Sequence, residues 1–387
     1  MQVQNFLQHS DIEEAVNWRH HLHRNPELGF EETETSAFIA ARLAEWGYSV
    51  KTGYGRTGLV GSLTRGSSSK AIGIRADIDA LPISEKSGVD YASRSPGKMH
   101  ACGHDGHVAM ALAAAKSLTA QSFDGTVHFV FQPAEENEGG GRAMVEDGLF
   151  RDFAMDGIYA MHNWPALDLG QCVARNDQMM AAFGTFEIKV KGRGAHGAMP
   201  HEGADPIVAA SQIVSALQTI ASRNVSPLQC AVVSATQVHG GDAWNVIPEE
   251  VVIRGTTRWF DEQVGAKIEA RLAALAGSIS AAFDCEADVD YMYRYPATIN
   301  DPACAAIVRD VAPDVAGVNV VEADPSMAAE DFSFMLREKR GCYFWLGAKK
   351  SGSNPGLHSA YFDFNDALLP IGANMWVSLV QNQLETA

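Results

Sequence analysis

The sequence predicts an α/β protein: one central sheet covered by helices, with a smaller α+β unit of ferredoxin-like order inserted into it. Three observations lead there. Strand and helix patterns alternate over residues 11–161, the order of a sheet covered on both faces by its own connections. Between residues 183 and 293 the order becomes β-α-β-β-α-β, the split βαβ arrangement. The length of 387 residues exceeds one ordinary hydrophobic core, so two domains are expected. The larger is then discontinuous, residues 1–183 and 296–387, and the inserted one spans 184–295.

Each element has its own signal. Residues 11–46 are helical in pattern, broken at Asn25-Pro26; the second helix carries Ala37, Phe38, Ala41 and Leu43 at helical spacing and ends at Gly47. Strands are expected at 48–52, 59–63 and 71–76, a helix from about Asp105 to Leu118, a strand reaching Phe131, a helix near 140–147 and a strand at 157–161. In the inserted unit, 183–190 alternates as a strand and Asp205-Pro206 caps a helix to about Arg223. Strands at 230–238 and 251–259 follow, then a helix capped by Asp261 to about Phe283 and a strand at 285–293. Alternation resumes from Pro296 and closes with an apolar helix from about Asn365.

Composition excludes several classes. Hydrophobic residues are 46% and charged residues 20%, as in a globular protein with a sizeable core. A net charge of −17 argues against nucleic acid or an anionic membrane as partner, since both need a basic face. The six cysteines, at 102, 172, 230, 285, 304 and 342, form no dense framework and no C-x-x-C, so reduced thiols and a cytoplasmic location are expected. The first residues lack a basic start and an apolar core, and no stretch approaches membrane-spanning length.

Chemistry concentrates at strand ends. Pro133-Ala134-Glu135-Glu136 follows the apolar run 126–131, placing two adjacent carboxylates at a carboxyl end, where α/β enzymes bind ligands. Neighbouring residues there point in different directions, so one Glu can hold a metal while the other moves a proton. Cys102, His104, His162 and His358 lie in segments with apolar residues on at least one side, and thiolate, imidazole and carboxylate are transition-metal ligands. With Glu136 they make five candidates, more than one tetrahedral ion needs, which favours two ions sharing ligands. Glu135 is the natural base for water there. Asp77 reads as a capped turn before Pro82, and Asp79 as an acceptor that orients a ligand histidine. His20, His21 and His23 fall on different faces of what reads as a surface helix, where solvation or helix packing explains them. His100 and His107 have the same ambiguity and stay outside the candidate set.

Other patterns fail on context. Gly53-Tyr54-Gly55-Arg56-Thr57-Gly58 matches a dinucleotide fingerprint as a string, but a strand follows it and not a helix, so a hairpin turn is expected. Lys51-Thr52-Gly53 and Ser67-Ser68-Ser69-Lys70 are chance matches to penicillin-binding motifs, in reversed order. The sequon at Asn224 has no meaning in a cytosolic chain.

The chain resembles the M20 metallopeptidases, and within them the aminoacylase, hippurate hydrolase and auxin-conjugate hydrolase group. The resemblance runs through residues 23–30 (HRNPELGF), 75–82 (RADIDALP), 100–107 (HACGHDGH), 132–136 (QPAEE), 194–200 (GAHGAMP) and 245–248 (NVIP). It implies a zinc-exopeptidase-like catalytic domain and two divalent ions per subunit, manganese, zinc, cobalt or nickel, held by Cys102, His104, Glu136, His162 and His358, with Glu135 as base. It also implies that the inserted domain is a lid and dimerisation surface, that His196 reaches the substrate carbonyl from the neighbouring subunit, and that Asn245 and Arg258 bind substrate. The wider family carries a ligand histidine in an H-x-D pattern; here Asp77 stands in that place, and Cys102 supplies the missing ligand. The expected activity is hydrolysis of an N-acyl amino acid, a small-molecule substrate, to a carboxylic acid and an amino acid. The alternatives are a dipeptidase or aminopeptidase, which needs a group for a free α-amine that the inserted domain does not display, and a non-catalytic metal-binding protein, which would have no use for Glu135 beside five ligands.

Overall fold

The computed structural model describes residues 5–136 and 138–386. Helices α1 (His9–Arg24) and α2 (Thr33–Glu45) precede strands β1 (Ser49–Tyr54), β2 (Gly58–Arg65) and β3 (Ala71–Asp77). Then come α3 (His104–Leu118), β4 (Gly125–Gln132), α4 (Gly140–Glu146), α5 (Leu149–Asp152), β5 (Gly157–Trp164), β6 (Gln171–Val173) and β7 (Gln178–Met180). Strands β8 (Ala182–Lys191) and β9 (Ala195–His196), α6 (Pro206–Thr219), β10 (Ala231–His239), β11 (Val246–Ile247), β12 (Glu250–Trp259), α7 (Glu262–Ala282) and β13 (Glu286–Tyr295) follow. The remaining elements are β14 (Thr298–Ile299), α8 (Pro302–Val311), β15 (Asn319–Val320), α9 (Ser333–Glu338), β16 (Gly341–Gly347) and α10 (Leu368–Gln383).

The chain divides into two compact units. The smaller comprises Met180–Ala297 and Pro325–Glu330, the latter segment lying outside the 184–295 span read from the sequence. The rest forms the larger unit, whose eight-stranded sheet runs β1-β2-β4-β3-β5-β16-β6-β15. At its centre β4, β3, β5 and β16 are mutually parallel, so the ends of β3, β4 and β5 open onto one edge. Strands β3 and β16 are buried at every residue, as a parallel sheet enclosed by helices requires. Helix α3, rich in small residues at 109–115, is buried along almost its whole length and packs on β3, α1 and α10. Its middle, apolar on every side from Val108 to Ala115, belongs in this position, because it has no face to give to water. The segment 53–58 joins β1 and β2 as an antiparallel hairpin, which leaves no helix N-terminus for a pyrophosphate.

In the smaller unit the sheet order is β10-β12-β8-β13, with every neighbour antiparallel. Numbered along the chain within this sheet, the order is second, third, first, fourth, the ferredoxin-like arrangement. Helices α6 and α7 pack against it through Ile213, Leu217, Ile268 and Leu272, which meet Ile188, Val190 and Ile253 in a core of its own. Both helices start as their sequences indicate: the carboxylate of Asp205 accepts the Ile207 N–H at 2.9 Å, and that of Asp261 accepts the Gln263 N–H at 2.7 Å. Among the described residues no helix is long and apolar enough to cross a membrane.

Candidate metal centre

The parallel strands bring the candidate donors together at one sheet edge. Glu135 and Glu136 follow the end of β4, Asp79 follows β3, and His162 lies near the end of β5. Cys102 sits in the loop leading into α3, and His104 is that helix's first residue. Gly103 between them has φ 98°, and a Cβ there would lie 2.4 Å from Asn163 Oδ1, so only glycine gives the sharp turn that aims both neighbours at the same place. His358 arrives on the loop between β16 and α10, where its N–H donates to the Ala101 carbonyl at 2.8 Å and its φ is 63°.

The distances show how closely these groups converge. Donor atoms of Cys102, His104 and Glu136 all lie within 4.8 Å of one another. Cys102 Sγ is 3.3 Å from His162 Nε2, and Glu136 Oε1 is 3.1 Å from His358 Nε2. The histidines are oriented from behind. His104 Nδ1 donates to the Asp79 carbonyl at 2.9 Å and lies 3.2 Å from its carboxylate, while His162 Nδ1 donates to the Asn163 carbonyl at 2.8 Å. In the neutral ring each therefore presents Nε2 as a lone pair, the form in which imidazole binds a metal. Asp79 also accepts the Glu136 N–H through Oδ2 at 2.9 Å, tying the β3 and β4 exits together.

The electrostatics call for a cation. His104 Nε2 is buried, has no hydrogen-bond partner among the described residues, and lies 3.6 Å from Asp77 Oδ2. Burial disfavours the charged form of His104, but Asp77, Asp79 and Glu136 outweigh it and raise its pKa to about 10. Burial, followed by the charges of Glu136, Glu135 and Asp77, pushes the Cys102 thiol well above its ordinary range. Burial and then His107 hold His162 well below the usual imidazole value, hence neutral. An orphaned imidazole nitrogen, a thiol among carboxylates and a neutral imidazole are the donor set that divalent transition ions satisfy, so these residues fit such ions.

Two readings of the sequence need correction. Asp77 is not a capped turn: it ends β3 fully buried, paired with Arg75 at 2.7 Å and bonded to His107 Nδ1 at 2.6 Å. A carboxylate on a strand enclosed on both faces must find internal partners, and His104, His107 and Arg75 hold its pKa well below the usual range despite burial. His107, left outside the candidate set, is buried beside the centre, and nitrogens of His104, His107 and His162 lie with an oxygen of Asp77 all within 4.8 Å of one another. Its signal was available, because His104 and His107 stand three apart on one helix face. Of the solvation and helix packing expected for His23, packing is what the fold provides. The ring is buried, with Nδ1 2.8 Å from Asp105 and Nε2 3.2 Å from Glu85, and although burial opposes its charge, Asp105 raises its pKa to about 9. Arg19, from the same helix, is also buried against Asp105, Asp363 and Asp366.

The remaining candidates belong to the smaller unit. His196 is exposed on β9 and pairs with Val246 of β11. The Ala198 N–H donates to His196 Nδ1 at 3.1 Å, which places the proton of the neutral ring on Nε2. Asn245 is its neighbour, accepting the Gly197 N–H through its carbonyl at 2.7 Å. Arg258, half-buried on β12, lies 3.9 Å above the Phe183 ring and has no ion pair among the described residues.

The model of peptidase family M20/M25/M40 matches residues 73–382. The chain is 42% identical to an N-acetyl-L-cysteine deacetylase of Bacillus subtilis, over 90% of this chain and 83% of that one. It is 39% identical to a hippurate hydrolase of Campylobacter jejuni, over 95% and 96% respectively. A Bacillus subtilis structure described as a dinuclear metal binding peptidase from the M20 family superposes with a TM-score of 0.84 at 32% identity, covering 98% of this chain and all of the other. With the family's motif segments, its two-unit fold and relatives of this similarity all present, the chain belongs to peptidase family M20/M25/M40.

Proposed function

We propose that this metal-dependent amidohydrolase cleaves the amide bond of N-acyl amino acids. The observation that carries the reading is the convergence of Cys102, His104, Glu136, His162 and His358 at one sheet edge, with Glu135 beside them. Relatives named for hippurate hydrolysis and for deacetylation of N-acetylcysteine and N-acetyldiaminopimelate support it. Two divalent ions, when bound by those five residues, supply Lewis acidity that activates water and polarises a carbonyl. The donor set of one thiolate, three imidazoles and one carboxylate suits manganese, zinc, cobalt or nickel.

The chain's own groups supply the rest. Glu135 takes the proton from water and delivers it to the departing amide nitrogen, so that one carboxyl serves both halves of the reaction. Asp79 keeps His104 in the Nδ1–H tautomer. His196, with its proton on Nε2, donates a hydrogen bond to the carbonyl oxygen as charge develops there. The Arg258 guanidinium, which has no carboxylate partner among the described residues, takes the substrate's carboxylate as a planar fork, and Asn245 adds an amide contact. A panel of acetyl, benzoyl and long-chain acyl amino acids, each assayed after reconstitution with one metal, tests the activity. Hydrolysis of dipeptides with a free α-amine in preference to every acyl amino acid would refute it.

We further propose a homodimer formed through the smaller unit, with His196 acting in the neighbouring subunit, and a cytoplasmic location that suits six free thiols. Variants lacking His196 or Glu135 are each expected to be nearly inactive. Mixed as heterodimers, they should regain a sizeable fraction of wild-type activity, because one site then holds both residues. No recovery in verified heterodimers rules out the shared site.

A further inference from the structure

Glu32 is a buried acid that the reaction does not use. It stands at the start of α2 with no exposure, and two groups occupy its carboxylate. Oε1 accepts the backbone N–H of Ala134 at 2.8 Å, and Oε2 accepts the Thr57 hydroxyl at 2.5 Å. Burial raises the pKa of Glu32 to about 7 against the opposing hydrogen bond from Thr57, so the fold keeps a carboxyl where its charged form is disfavoured.

What the carboxyl grips explains why. Ala134 has φ 50°, a left-handed conformation that residues with a Cβ avoid, and it immediately precedes Glu135 and Glu136. Such a backbone persists only where its surroundings over-determine it. Here both polar groups of Ala134 are tied: the N–H to Glu32, and the carbonyl to the Gly140 N–H at 2.9 Å. The packing is equally close. A Cβ on Gly140 would lie 1.8 Å from the Pro133 carbonyl oxygen, and one on Gly29 would lie 3.0 Å from the Ala134 Cβ. The segment from Glu27 to Glu32 also holds the neighbouring strand exit, since the Ala80 N–H donates to the Glu27 carbonyl at 2.8 Å and Leu28 forms a bridge with Ala80. One loop therefore braces both the turn that carries Asp79 and the turn that carries Glu135 and Glu136.

We propose that Glu32 is a positioning residue, whose carboxylate locks Ala134 in its left-handed conformation and so fixes the directions in which Glu135 and Glu136 leave β4. It touches neither substrate nor metal. It acts through the backbone, and the inference rests on the roles given to Glu135 and Glu136 above.

The test compares Glu32→Ala and Glu32→Gln, each in the wild-type and Ala134→Gly backgrounds, using manganese-loaded enzyme. Metal retention under EDTA challenge, kcat, KM and Tm are measured. Glu32→Ala should lose metal faster and lower kcat by about 10- to 100-fold, with KM little changed, the range found when groups behind a metal site are removed. Glu32→Gln keeps an oxygen for the Ala134 N–H and should retain most of both properties. Glycine adopts φ 50° without a Cβ penalty, so the loss caused by Glu32→Ala should shrink in the Ala134→Gly background. A Glu32→Ala enzyme with lowered Tm but wild-type kcat and metal retention would falsify the proposal, as would equal losses in Glu32→Gln and Glu32→Ala or an undiminished loss in the Ala134→Gly background. Should Glu32→Ala not fold, Glu32→Gln decides alone: wild-type metal retention supports the lock and its loss overturns it. Glu135→Gln and Glu136→Gln, measured in parallel, separate failure of this inference from failure of the site reading. If they retain activity and metal, that reading fails, whereas the Glu32 series reports on the turn itself.

Discussion

Glu135→Gln is expected to give a folded, metal-loaded protein whose kcat is lower by about 10²–10⁴-fold, because the amide matches the carboxylate in size but cannot take up a proton and hand it on. By the usual conversion this corresponds to about 3–5 kcal/mol of lost transition-state stabilisation. The residue is buried at the exit of β4, close enough to Cys102 to raise its pKa, and adjacent in sequence to Glu136, whose carboxylate meets His358. Such a group has one environment for both proton transfers, receiving from water and giving to the leaving nitrogen. Metal content, read by elemental analysis, should stay at the wild-type value. Activity near wild type in Glu135→Gln would move the base to another residue, and a large loss of metal would make Glu135 a ligand.

The second large effect concerns the ligands. Cys102→Ser and Glu136→Gln should each lower metal occupancy from about two ions per subunit toward one, with activity falling in proportion. Cys102 Sγ lies 3.3 Å from His162 Nε2 among buried groups, and carboxylates surround it. Its thiolate is stable there only with a cation close by, and a serine hydroxyl, which does not ionise near neutral pH, cannot replace it. Glu136→Gln removes a formal charge facing His358 and leaves Glu135 in place. Wild-type occupancy in both variants would show these ligand assignments to be wrong. Chelation of the wild-type enzyme should abolish hydrolysis, and added manganese, zinc, cobalt or nickel should restore it to different extents.

The order of elements was legible because it is a local property. The period of apolar residues in 33–45 or 182–191, and the caps at Asp205 and Asp261, act within a few residues, so the strands and helices can be placed from neighbouring letters alone. The candidate donors were legible for a related reason. A parallel sheet directs its carboxyl ends to one edge, so residues such as Glu135 and Glu136, which follow an apolar run, are already assigned to a common region.

The sequence by itself determined the two-unit α/β architecture, the inserted ferredoxin-like unit and the set of thiol, imidazole and carboxyl groups from which a metal site can be built. Tertiary structure alone decided which of the polar residues are buried and with whom. His23 meets Asp105 across 82 positions, Asp77 meets His107 across 30, and Glu32 meets Ala134 across 102. No local pattern distinguishes such a residue from a solvated one, because the free energy that fixes it comes from desolvation and from partners brought in by the fold. For the same reason solvation and helix packing are equally open for His23, and Asp77 reads as a turn, until the sheet closes around them. The His104 lone pair aimed by Asp79 is set by a contact between the exit of β3 and the start of α3, and the left-handed turn at Ala134 by one between the exit of β4 and the loop after α1; both exist only once the parallel strands have aligned.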